Sequence, residues 1–105
     1  MWVRSAFWTG APRPGTEDAF RAGVDDEIVP GLKVLPGVED VRALWPRRLE
    51  DSPPNIHCQI IVDFASRDAI DVMLASPGRA ALREKVRALA ANFDGAISHI
   101  DYEAS

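Results

Sequence analysis

The chain is poor in the residues that would tie it to disulfides, metals, membranes or nucleic acids. Of its 105 residues only Cys58 is a cysteine, which excludes an intrachain disulfide framework. With no Cys-x-x-Cys pair and no dense His/Cys cluster, structural zinc is not expected either. A lone thiol fits a reducing compartment, and we expect a cytoplasmic protein. No apolar run approaches the roughly 20 residues of a membrane helix, and the first residues lack the basic segment and long apolar stretch of a secretory signal. The formal charge is -4, with lysines and arginines scattered among carboxylates. That leaves no stripe to neutralise phosphates, so nucleic acid is not an expected partner. No flavin, haem, nicotinamide or metal signature is present, and no cofactor is expected.

What the sequence does contain is enough apolar material for one core. An apolar content of 47% and a charged content of 27% are close to globular averages, and a chain of this length supports a single domain, residues 1–105. Residues 2–9 are rich in aromatic and β-branched types and read as a strand, which the breaker cluster Gly10-Ala11-Pro12-Arg13-Pro14-Gly15 should end. Thr16 offers an N-cap, and Phe20, Val24, Ile28 and Leu32 recur every four residues, predicting a helix that loosens at Pro30 and stops before Pro36-Gly37. Residues 38–45 read as a second strand, followed by a polar, proline-rich exposed connection that contains Arg47 and Arg48. In the third strand Ile56, Cys58, Ile60, Val62 and Phe64 alternate with Asn55, His57, Gln59, Ile61 and Asp63, which predicts one core face and one partly polar face. Ser66 and Ser76-Pro77 mark the starts of two further helical pieces, with Leu82, Val86, Leu89 and Phe93 keeping the helical rhythm before a last strand over residues 96–103.

The resulting order, βαββαβ, predicts a ferredoxin-like α+β fold: an antiparallel four-stranded sheet, strand order 4-1-3-2, with helices on one face. The second face would carry Ile61 and one aromatic of the Phe7-Trp8 pair. An uncovered apolar sheet face is most simply closed by a two-fold axis, so a homodimer is expected.

The run VPGLKVLPGV over residues 29–38 and the run ASPGRAALREKVRALAANF over residues 75–93, taken with the order of elements, resemble the EthD-like branch of the dimeric α+β barrel superfamily. The resemblance extends over nearly the whole chain. It implies a barrel-like dimer with a mainly apolar pocket between the sheet and the helices of each subunit. It also implies activities of the kind found in the wider superfamily: cofactor-free monooxygenases, lactone isomerases, decarboxylases and cyclases acting on small, often aromatic or polyketide-like molecules. The family frequently has a histidine two residues before the proline of the first helix. Here the matching position is Ile28, ahead of Val29-Pro30.

Proton transfer near neutral pH points to the two histidines, His57 and His99, as candidate catalytic residues. Each has a plainer alternative as a partly exposed strand histidine with one hydrogen bond. Asp63 is predicted to share a face with His57 and could orient an imidazole. Six residues of strand, roughly 20 Å, separate the two, so it would have to act on a neighbouring strand. Arg4 could hold a carboxylate or enolate of a ligand, or else form a salt bridge across the sheet. Trp8, Phe20, Ile28, Phe64, Met73, Phe93 and Tyr102 are candidate lining residues of a ligand pocket; helical spacing alone would place Phe20, Met73 and Phe93 in a filled core. Cys58 lies on the apolar face of its strand, where a thiol behaves as a small hydrophobe. These residues are consistent with a cofactor-independent enzyme acting on a hydrophobic carbonyl or lactone compound. The alternatives are a non-catalytic small-molecule binder and a pure assembly module.

Overall fold

The computed structural model describes residues 1–105, in the order β1 (Trp2–Pro12), α1 (Glu17–Gly23), a π-helical turn (Val24–Ile28), α2 (Val29–Lys33), β2 (Val38–Leu44), β3 (Ile56–Phe64), α3 (Arg67–Leu74), α4 (Pro77–Ala90) and β4 (Phe93–Glu103). The strands form one antiparallel sheet ordered β2-β3-β1-β4, the predicted ferredoxin-like arrangement. No helix is long and apolar enough to cross a membrane.

Local chemistry explains where the elements depart from the pattern in the sequence. β1 does not stop at Thr9. It continues through Gly10, Ala11 and Pro12, which pair only with β4, so the proline's missing N–H falls on a free edge where nothing requires it. Thr16 does not cap α1 through its side chain; its hydroxyl donates to the carbonyl of Arg13 at 2.7 Å and braces the preceding turn. Pro30 has no N–H to give four residues back, and its ring crowds that carbonyl. The preceding turn widens in response, with the Val29 N–H donating to Val24, five residues back. The loosening therefore lies just before the proline. Ser66 and Ser76 are true N-caps, each hydroxyl oxygen accepting a backbone N–H at 3.2 Å, from Ala69 and Arg79 respectively. Phe93 opens β4 instead of closing α4.

Two irregularities in register decide which side chains face the helices. Trp8 pairs with Cys58 and Thr9 with Ile56, which leaves His57 as the extra residue of a β-bulge. Beyond the bulge Ile56 falls outside the core cluster, while Trp8, Cys58, Ile60, Val62 and Phe64 remain in it. A second slip sits between Val38 and Asp40 on β2. The core lies between the sheet and the helices, with Phe20, Val24, Ile28, Ile70, Met73 and Leu82 supplying the helical side. Trp8, Phe20 and Phe93 meet with ring centroids 5.1–5.3 Å apart, and such pairs contribute about 0.5–1.5 kcal/mol each beyond their burial. The opposite sheet face has no helix. It carries Val3, Phe7, Ile61, Ile100 and Tyr102, placed there by the register, around a Gln59 amide that donates to the buried Ser5 hydroxyl at 2.9 Å.

The connection over residues 45–55 is exposed apart from the half-buried Trp45 and Pro46. Arg48 pairs with Glu50 at 2.9 Å in solvent, and Asp51 and Ser52 take left-handed backbone conformations.

β1 and β4 approach most closely where Gly10 faces Gly95, both at positive φ. A Cβ on either would strike a carbonyl oxygen of the other strand. Gly95→Ala should therefore lower unfolding free energy by about 2 kcal/mol or more, read from urea denaturation; an unchanged midpoint would contradict this strand contact.

Candidate functional site

Along β1 and β4 the inner face of the sheet changes character. Trp8 stands opposite Ile97, Ala6 opposite His99 and Arg4 opposite Asp101. Ala6 is too small to reach the helices, and beyond Ile97 the inner side of β4 turns polar, so α4 cannot close down on this strip. A cavity of about 380 Å³ remains between them. Ala6, Trp8, Ile60 and Ile97 form its floor, and Ile28, Met73, Leu82 and Val86 its helical wall. His99, Arg83 and Arg87 line it and are themselves exposed, which marks where it opens to solvent. A hollow of about 550 Å³ between α1 and α4 is bordered by Thr16, Asp26, Glu27, Lys85 and Asn92. It holds no imidazole and its border carries three charged side chains, Asp26, Glu27 and Lys85, so the first cavity is the better candidate for binding a hydrophobic molecule.

The electrostatics of the first cavity are set by arginines. The Arg4 guanidinium is mostly buried and donates to both carboxylate oxygens of Asp101, at 3.0 and 3.2 Å. This half-screened pair contributes at most about 1 kcal/mol to stability, but it fixes a cation beside His99. Although His99 is exposed at the mouth, the groups around it strip part of its hydration. This partial desolvation first, then Arg4 and Arg79, lower its pKa below the ordinary value, with Asp101 acting the other way. The imidazole is therefore neutral at pH 7 and offers a lone pair.

Of the residues singled out in the sequence, the fold brings Arg4, Trp8, Ile28, Met73 and His99 together around this cavity. The others lie elsewhere. The bulge swings His57 away from the face shared by Gln59 and Asp63, so that its ring packs edge-on against Phe20 at 5.4 Å, with Trp45 and Phe93 at 6.0 Å. It does not line the cavity. Burial, then Arg47, lower its pKa. Asp63 is on the opposite sheet face, between Val3 and Asp40, and Tyr102 is on that face too, opposite Val3. Phe20, Phe64 and Phe93 are buried in the core but do not border the cavity. Cys58 is fully buried, and its thiol is pushed up to about 12 by burial first, then by Asp25 and against Arg21; it stays protonated and inert.

Among the cavity residues that the sequence reading passed over are the charged ones of α4, Arg79, Arg83 and Arg87. Their spacing of four along α4, flanking the apolar stripe of Leu82 and Val86, was the available signal. Ile28, which matches a histidine in the family that the sequence resembles, does reach the cavity, but as hydrocarbon. No group of three side chains is placed to hold a metal ion.

No family model and no curated protein matches the sequence. Solved structures do match, across the whole chain. An EthD family protein from Bacillus halodurans C-125 superimposes with a TM-score of 0.79 at 11% identity, covering 100% of this chain and 99% of its own. A structure described as an antibiotic biosynthesis monooxygenase gives 0.67 at 16% identity, covering 100% and 99%. A dimeric ferredoxin-like protein of unknown function from Jannaschia sp. CCS1 gives 0.65 at 19% identity, covering 99% and 100%. At these identities the likeness establishes the fold alone, the ferredoxin-like α+β arrangement described above.

Both histidines titrate lower in the folded chain than in the unfolded one, so on acidification the unfolded chain binds protons first. Their contribution to stability is complete above the ordinary imidazole value of about 6.5 and is lost as pH falls below it. NMR titration should place the His99 midpoint below that value. Arg4→Gln, which removes a cation and frees Asp101, should raise it; a midpoint unmoved by Arg4→Gln would contradict the assigned electrostatics.

Proposed function

We propose that this chain works as a homodimer whose subunits each bind a small hydrophobic carbonyl or lactone compound in the cavity beneath α4 and transfer a proton through His99, without a cofactor. The observation that carries this reading is a neutral imidazole at the mouth of an apolar cavity, beside a guanidinium fixed by its own carboxylate. General-base catalysis needs a free lone pair, and the enolate it produces needs a preorganised cation. His99 takes the proton from the carbon next to the carbonyl. The electron pair released from that C–H bond forms the enolate, whose oxygen faces Arg4. Where the compound carries a β,γ double bond the enolate extends over it, and return of the proton to the γ-carbon, with the double bond shifted into conjugation, completes an isomerisation. Asp101 acts as a positioning residue, since it holds Arg4 and does not reach the ligand. His57 and Asp63 have no part in this scheme, because neither lines the cavity.

The second subunit is proposed from the uncovered sheet face. Ile100 and Tyr102 are 47% and 43% exposed there, beside a half-buried Phe7, and exposed apolar side chains grouped on a sheet face without helices are the kind of surface that marks an interface. A two-fold axis would bury it against its own copy, and one solved structure with this fold is described as dimeric. The mouth of the cavity is on the helical side of the sheet and remains open in such a dimer. A cytoplasmic location remains part of the proposal, on the strength of the lone buried thiol.

One observation favours a second reading, a binder without catalysis. Ile28 stands where the resembling family frequently has histidine, so a second proton-transfer group is missing from the cavity wall.

Proton abstraction can be measured without knowing the natural substrate. In D2O, 2-tetralone should exchange its α-protons faster with the protein than with buffer, followed by NMR. His99→Ala should remove about 100-fold or more of that acceleration while leaving the fold intact. Binding of 2-tetralone with no acceleration would favour the binder, and acceleration unchanged in His99→Ala would remove His99 from the mechanism.

A further inference from the structure

α4 carries an arrangement that helix energetics alone disfavours. Arg79 lies in its first turn, where the peptide dipoles already concentrate positive charge, and that turn has no acidic residue. Arg83 follows four residues later, which sets two like charges side by side on one helical face. Both line the cavity. Of the four arginines that do so, Arg4 is paired with Asp101 at 3.0 Å and Arg87 with Glu84 at 2.7 Å. Arg79 and Arg83 have no ion-pair partner among the salt bridges of the chain. A protein with a formal charge of -4 thus concentrates unpaired positive charge at the mouth of its most apolar cavity.

From this placement we infer that Arg79 and Arg83 bind the carboxylate of an amphipathic ligand whose apolar body lies between the sheet and α4. The ligand class is a hydrophobic carboxylic acid, and in terms of the proposed reaction, on which this inference rests, a keto acid or a lactone acid. The two guanidiniums present planar donor forks that match carboxylate geometry, and the cavity floor of Ala6, Ile60 and Ile97 accepts the body. Burial first, and then Arg83 and Arg4, lower the proton affinity of Arg79, and a bound anion would offset the repulsion among these cations. The reacting end of the ligand then reaches toward His99 and Arg4 while the acid group stays at the α4 side of the mouth. This arrangement fixes which end of the molecule meets the base.

The test uses an unreactive matched pair, 2-naphthoate and its methyl ester, titrated calorimetrically into the full chain. The acid should bind at least about tenfold more tightly than the ester, and its binding alone should weaken with added sodium chloride. In Arg79→Gln/Arg83→Gln that preference should vanish while ester binding stays unchanged. The double variant should melt at the same temperature as the parent or higher, since a like-charge pair has been relieved. Equal binding of acid and ester by the parent, or a preference for the acid that survives the double substitution, would overturn the carboxylate site and leave the cavity reading standing. Failure of both probes to bind would overturn both.

Discussion

α4 meets the sheet over a strip that cannot fill the space beneath it. Leu82 is buried in the core and Val86 packs against it, yet the facing residues of β1 and β4 are Ala6, the charged Arg4 and the imidazole of His99. Elsewhere under the sheet the contrast is plain: Cys58 and Phe64 are closed over in the core with Phe20 and Val24 and border no part of that cavity. A close-packed interior tolerates few voids larger than a water molecule, so a hollow of about 380 Å³ has to be maintained by the residues around it. Here a small side chain lowers the floor, and polar groups that require solvent or a partner hold the edge open.

The same strip explains the charge pattern. Arg4, partly withdrawn from water, is paired with Asp101 directly across the β1–β4 ladder, and that pair depends on the register of the two strands. The register in turn depends on the close backbone approach at Gly10 and Gly95. A glycine contact at one end of the ladder therefore bears on the environment of an imidazole four residues further along β4. On the far side of the sheet the alternation places Val3, Phe7, Ile61, Ile100 and Tyr102 together, with Ile61 buried, Val3 and Phe7 half-buried and Ile100 and Tyr102 left exposed. One face encloses a hollow and the other is the face proposed for contact.

Much of this architecture was legible in the sequence, because strong periodicity and well-placed caps determine it. The strand order, the single core and the restart of the helix at Ser76-Pro77 follow from period-two and period-3.6 patterns. Those patterns leave open which of Phe7 and Trp8 turns outward, and the register of β1, which buries Trp8, decides it. The candidate site was only partly legible. His57 was assigned to the face of Asp63 by strict alternation, and a one-residue bulge opposite Trp8 and Thr9 reversed it; nothing in the residues of a strand announces such an insertion. Phe20, Phe64 and Phe93 were plausible lining residues by type, but ring-on-ring packing with Trp8 and burial under the helices consume their surface. Arg79 and Arg83 were passed over because charged residues on a helix are ordinarily a solvated face. Only the cavity beneath them gives their unpaired state a meaning.

The account divides the sheet into a face that assembles and a face that binds, and native mass spectrometry of the gently purified protein tests both in one spectrum. The account predicts a dimer that carries a reproducible small-molecule mass, or that gains one when a hydrophobic acid is added. A bare monomer that takes up no such mass would contradict the assignment of both faces.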